Sequence, residues 1–181
     1  METKQAISSW SVDATHSEIT FKVKHLMITN VKGEFGKFSV DVKAGEDFTN
    51  AIIHVVIDAA SINTNSKDRD NHLRSADFFD VTVYQEITFK SASMIKDHNE
   101  NYKLTGMLTM KGISREVSLN AEYGGVTVDP WGNTKAGFAV NGKINRKDWN
   151  LNWNTALEAG GVMVGEEVNI YCELEFAKQL E

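Results

Sequence analysis

Cysteine and proline occur once each in the 181 residues. A single cysteine, Cys172, excludes an internal disulfide framework and a cysteine-based zinc site. It falls within an apolar strand pattern and reads as a buried small hydrophobe, not a nucleophile. An excess of positive charge is also missing. The net charge of -6 and a pI near 5.4 argue against a surface for nucleic acid or anionic membrane. No apolar run approaches the length of a membrane span, so membrane insertion is not expected. The opening Met1 to Trp10 has no apolar leader core and no small-residue cleavage site. At face value this predicts a cytoplasmic, soluble chain, or a periplasmic one if a leader has been removed. Gly-x-Ser-x-Gly, P-loop and dinucleotide fingerprints are absent, as are internal repeats, low-complexity runs and linkers. Residues 1–181 therefore read as one domain, long enough to bury a substantial core.

What is present is alternation at period two, the pattern of strands with one apolar and one solvated face. Trp10 and Val12 share a face in a short first strand, and Ile19, Phe21, Val23 and His25 alternate with Glu18, Thr20, Lys22 and Lys24. From Val31 to Lys43 the parity changes: Val31, Gly33 and Phe35, then Phe38, Val40 and Val42 after Gly36-Lys37. One extra residue at a glycine predicts a β-bulge that bends the strand. Ala51 to Ala60 is apolar on both parities, which predicts a strand covered on both sides, by a second subunit or internally. Ile87 and Phe89 follow, then Leu104, Gly106, Leu108 and Met110, and Lys111-Gly112 turns into Val117, Leu119, Ala121 and Tyr123 as a hairpin. Asp129-Pro130-Trp131-Gly132-Asn133 is a turn. Ala136, Phe138, Val140, Gly142 and Ile144 form the next inward face, and Val168, Ile170, Cys172, Leu174 and Phe176 the last. About eight or nine strands with short polar connections predict an all-β antiparallel meander, as a sandwich or a closed barrel. Closure would remove exposed edges from a proline-poor sheet, and roughly eight strands can enclose one small ligand. Strands of about eleven residues, tilted about 40°, would make an interior roughly 27 Å tall.

One stretch, about 62–80, breaks the alternation. A short amphipathic helix over 65–80 fits it, capped by Asn65 or Ser66, with Asp68 and Asp70 in the first turns and Arg74 paired with Asp70. His72, Leu73, Ala76 and Phe79 fall on one side, with Arg69 at the edge. So short a helix must lie on something apolar, which predicts a lid.

Several segments now carry a family resemblance. They are Trp10, Asp13 and His16-Ser17; His72-Leu73-Arg74-Ser75-Ala76-Asp77-Phe78-Phe79-Asp80; Leu108 to Gly112; Asp129 to Asn133 with Gly137-Phe138; Ile144 to Asp148; and Gly160-Gly161-Val162 through Val168. In order and spacing they resemble the YceI family of lipocalin-like proteins over essentially the whole chain. The resemblance implies an extended eight-stranded antiparallel β-barrel with one short helix, whose apolar pocket binds polyisoprenoids, isoprenoid quinones or fatty-acid amides. It also implies a homodimer and calls for no cofactor. Gln85 and Glu116 stand where prolines are usual, and both touch strand entry only. Trp149-Asn150 replaces the usual Phe-Gly or Tyr-Gly and is expected to alter the cavity wall.

The inward parity predicts a ligand-binding wall of Phe21, Val23, Phe38, Val40, Leu108, Met110, Phe138 and Val140, with Met107 facing out. His25 and Leu73 would join the wall, Phe78 and Phe79 would form a gate, and His72, Arg74 or Arg146 would meet a polar head at the mouth. His16, His25, His54, His72 and His98 show no metal-ligand spacing, and Asp68, Asp70, Asp77 and Asp80 lack the glycine and terminal glutamate of a calcium loop. Two other functions fit the same residues: an enzyme with His72 as acid–base assisted by Asp70 or Arg74, and a stress-related structural protein with a filled barrel. No nucleophile or second histidine lies near His72 in sequence, so binding without catalysis is the expectation.

Overall fold

The computed structural model describes residues 6–180; Met1 to Gln5, read above for a leader, and Glu181 lie outside them. Eleven strand segments follow in order: β1 Ser8–Val12, β2 Glu18–His25, β3 Thr29–Phe35, β4 Phe38–Ala44, β5 Ile52–Asp58, β6 Ile62–Asn63, β7 Glu86–Lys96, β8 Tyr102–Met110, β9 Ile113–Val128, β10 Thr134–Asn145 and β11 Val164–Lys178. They make eight staves. β1 and β2 lie end to end along β11, β3 and β4 along β2 and β1, and β5 and β6 along β4 and β3. The remaining pairs run β5–β7–β8–β9–β10–β11, all antiparallel, and the β1–β11 pairing closes the ring. Of the sandwich and the barrel that the alternation allows, the chain forms the barrel, closed, eight-stranded and lipocalin-like as the resemblance implies.

The parity change at Gly36-Lys37 is present, but as a break between β3 and β4, not a bulge within one strand. The neighbouring stave breaks beside it in a 3-10 turn, Ala59–Ser61. Ser61 holds both sides: its carbonyl accepts from Gly36 N–H (3.2 Å) and its hydroxyl oxygen from Lys37 N–H (3.1 Å). Two adjacent interruptions bend the wall without orphaning backbone groups. The Lys111-Gly112 hairpin is a two-residue turn with φ of 52° and 73°, the left-handed conformations that favour glycine.

The connections sort by end. One end carries the β4–β5, β7–β8 and β9–β10 loops and an aromatic plug. There Phe48 packs on Trp10, Tyr123 and Phe138, and Phe176 and Tyr102 complete the group. The other end carries the long segments 59–85 and 146–163 and the 26–28 turn.

The lid lies in segment 59–85, and its helix, α1 Lys67–Arg74, is shorter than the predicted 65–80. Ser66 is the N-cap, accepting from Arg69 N–H. The helix stops because the Ser75 hydroxyl donates to the His72 carbonyl at 2.6 Å, and turns continue to Val83. Ala76, beyond that stop, is exposed and not on an apolar helix face. Asp70 and Arg74 form no ion pair. Asp70 is the buried residue of the helix and accepts from Thr64, whereas Arg74 donates to the carbonyls of Ala60 (2.9 Å) and Ile62 (3.0 Å).

Candidate functional site

A cavity of about 620 Å³ occupies the barrel interior, open between the lid, the 26–28 turn and the 146–163 segment. Volumes of about 300–1,000 Å³ are those of pockets for drug-sized ligands. Its polar lining groups gather at the mouth (Lys24, His25, Thr64, Ser66, Asp68, Arg69, His72 and Arg146), with Thr20 the other one. Below them the wall is apolar. Small residues make room for large ones there: Gly33 is in register with Phe21, whose ring occupies the space a Cβ would need.

Phe21, Val23, His25, Val40, Leu108, Met110, Phe138 and Val140 all line this cavity, with Leu73, Phe78 and Phe79 from the lid segment. Met107 faces out. Phe38 does not reach the cavity. It sits half-buried in the bend just after Gly36-Lys37, and the row of β4 that reaches the lumen starts at Val40. The lid segment is pinned by aromatic contacts, Phe79 against Phe35 (6.0 Å) and both His72 (4.7 Å) and Phe78 (5.5 Å) against Trp153.

The two arginines predicted to meet a polar head are committed elsewhere. Arg74 holds the 60–62 carbonyls. Arg146, 3% exposed, lines the mouth, yet it donates to the carbonyls of Leu151 (2.5 Å), Trp153 (3.0 Å), Gly165 (2.8 Å) and Val164 (3.2 Å). Burial pushes its pKa down, partly offset by Glu166. It staples the long segment to the barrel and leaves His72 as the less committed group. His72 Nε2 lies 2.9 Å from Asp77 Oδ2, a partner that spacing did not reveal.

Trp149 does not alter the cavity wall. It is buried within a 3-10 turn, Arg146–Trp149, and its indole N–H donates to the Leu108 carbonyl at 3.0 Å, behind the wall. Asn150 takes φ 58°, ψ 25°, the conformation its usual glycine adopts freely and asparagine tolerates.

One constellation was invisible in sequence. Asp13, His16 and Glu175 bring their ligand atoms within 4.8 Å of one another, with Glu175 arriving from the last strand. The Lys135 ammonium sits 3.0 Å from Asp13 Oδ2 and 3.4 Å from Glu175 Oε1, so the carboxylates already have their cation. Hydrogen bonds from Thr15, Lys135 and His16 hold the Asp13 carboxyl well below the usual carboxylate range, and Asp13 and Glu175 raise Lys135. The cluster ties β1, β10 and β11 together. Cys172 also lines the cavity, and burial pushes its thiol up to about 12.

Comparison with known proteins agrees with this architecture. The family model described as "YceI-like domain" matches residues 10–176. A UPF0312 protein of Staphylococcus aureus strain N315 is 39% identical over 173 residues, 94% of this chain and 98% of the relative. Among solved structures, a Campylobacter jejuni YceI protein is 36% identical, with a TM-score of 0.71 over 88% of this chain and 91% of that one. BcnA of Burkholderia cenocepacia is 25% identical with a TM-score of 0.79, covering 91% and 98% of the two chains. A polyisoprenoid binding domain from Saccharophagus degradans shares the fold at 17% identity and a TM-score of 0.64, covering 97% and 100%. The chain belongs to the YceI family.

Proposed function

We propose that this barrel binds a long-chain amphiphilic lipid (a polyisoprenoid, an isoprenoid quinone or a fatty-acid amide) as a carrier and without catalysis. The cavity supports this reading: an apolar interior sealed at one end by aromatics, with its polar groups gathered at the other. An apolar chain that removes about 400 Å² from water gains roughly 10 kcal/mol before ordering costs. The head would stop beside His72. The Saccharophagus degradans neighbour, described as a polyisoprenoid binding domain, favours an isoprenoid chain. Against an enzyme, Asp70 and Arg74 turn away from His72. Against a filled structural barrel, the lumen is open.

The test is displacement of a fluorescent fatty-acid analogue, with mass spectrometry of an organic extract to name the resident lipid. Leu108→Trp with Phe138→Trp should abolish long-chain binding while the unfolding temperature shows a retained fold, and Phe79→Ala should speed release. Undiminished binding by the folded double variant would place the ligand outside the barrel.

We propose further that two copies pair through β5. Ile52, 66% exposed, and His54 on its outer parity are uncovered by their own chain.

A further inference from the structure

We propose that the turn at Leu26-Met27-Ile28, on the rim of the cavity mouth, docks the protein on an anionic lipid bilayer. The proposal rests on the carrier reading, because a water-insoluble chain must enter and leave through this mouth. Three consecutive apolar residues stand exposed there, Ile28 at 77%. Leu26 and Met27 also have φ of 51° and 64°, left-handed conformations that cost large side chains and are usually given to glycine or asparagine. The strain is held in place by the rim: Leu26 N–H donates to the Met163 carbonyl at 2.8 Å, and the Met27 sulfur leaves no room for a Cβ at Gly161. The apolar tip is therefore a built feature, fixed beside the entrance.

Charge selects the occupant. The lysines of β2 and β3 beside the tip are Lys22, Lys24 and Lys32, all exposed, and none of them joins an ion pair among the described residues. Lys22 and Lys32 are direct cross-strand partners, a like-charge pairing that costs stability. Acidic residues outnumber basic ones in the chain, 25 to 19, so this local cluster runs against the overall charge. The acids beside the tip, Glu166 and Glu167 on β11, already have cations of their own in Lys147 (2.7 Å) and Lys143 (3.5 Å), while Asp68 lies on the lid and Glu158 on the 146–163 segment. An apolar tip flanked by cations matches a headgroup layer that is apolar below and anionic above. The net charge of -6 excludes a general attraction to such a surface, but not this oriented one.

The experiment is flotation of the whole protein with vesicles of phosphatidylcholine alone or mixed with phosphatidylglycerol, at low and high salt. Binding should appear on the mixed vesicles and fall with salt. Lys22→Gln and Lys32→Gln should each lower vesicle affinity about fivefold. Ile28→Glu should abolish binding, and thermal unfolding should show all three variants folded. Transfer of a fluorescent long-chain ligand out of the vesicles should slow in the same order, while binding of that ligand added as monomer stays unchanged. No binding to mixed vesicles, or equal binding by Ile28→Glu, would overturn the proposal. So would a change in oligomeric state on Ile28→Glu, which would make the tip a contact between copies. Loss of monomeric-ligand binding by the unaltered protein would instead defeat the carrier reading, which the vesicle flotation does not touch.

Discussion

Asp70, buried under the lid, accepts both the backbone N–H (2.8 Å) and the hydroxyl (2.5 Å) of Thr64, the residue that leads from β6 into the helix. Arg69 reaches the same Thr64 hydroxyl at 2.7 Å and its carbonyl at 2.7 Å. The lid is thus anchored at its root by one carboxylate. Asp70→Ala should cost about 3 kcal/mol, the worth of charged hydrogen bonds plus the donors left unpaired. Urea unfolding measures the loss, and hydrogen exchange over residues 64–80 should rise more than over β7 to β10.

Arg146 serves four carbonyls, which a lysine cannot reproduce because its ammonium lacks the planar fork. Arg146→Lys should therefore destabilise nearly as much as Arg146→Met, by about 2–4 kcal/mol. Limited proteolysis should cut first within residues 150–163 in both variants.

The Asp13–Lys135 contact makes stability depend on pH at both extremes. Asp13 is depressed when folded, so its contribution is full above its unfolded value of about 3.9 and is lost as pH falls through the folded value. Lys135 is raised, so its contribution is full below about 10.4 and is lost as pH rises through the folded value. Lys135→Met should destabilise the protein between these limits. The gap to the unaltered protein should narrow in strong acid, as thermal melts across pH will show.

A thiol pushed up to about 12 stays protonated at pH 8. Cys172 should therefore react with a disulfide reagent far more slowly than a free thiol. Labelling should reach the rate of a free thiol only in denaturant, and rapid labelling of the folded protein would contradict its burial.

If β5 pairs across a dimer, Ile52→Lys or Val56→Lys should shift light scattering from dimer to monomer at unchanged unfolding temperature. A monomeric unaltered protein would end that proposal.

Period-two alternation was enough to assign the inward rows of β2, β8 and β10, because side chains on a strand have only two directions and one of them meets water. The hairpin at Lys111-Gly112 and the turn at Asp129 to Asn133 were equally legible, since their backbone conformations demand those residue types. The parity change at Gly36 was visible too, but whether it was a bulge or a break depended on Ser61, in another stave. The same limit applies to the side chains that act over distance. Arg74 and Arg146 read as free cations at a mouth, yet each is spent on carbonyls whose positions only the folded chain defines. Asp70 read as a surface helix acid because local spacing cannot show that Thr64 will face it. Asp13 and Glu175 meet across 162 residues through Lys135, a contact that exists only because the barrel closes. Strand direction follows from local sterics and solvent and is written in the sequence; hydrogen-bond partners follow from closure, and tertiary structure alone decided them.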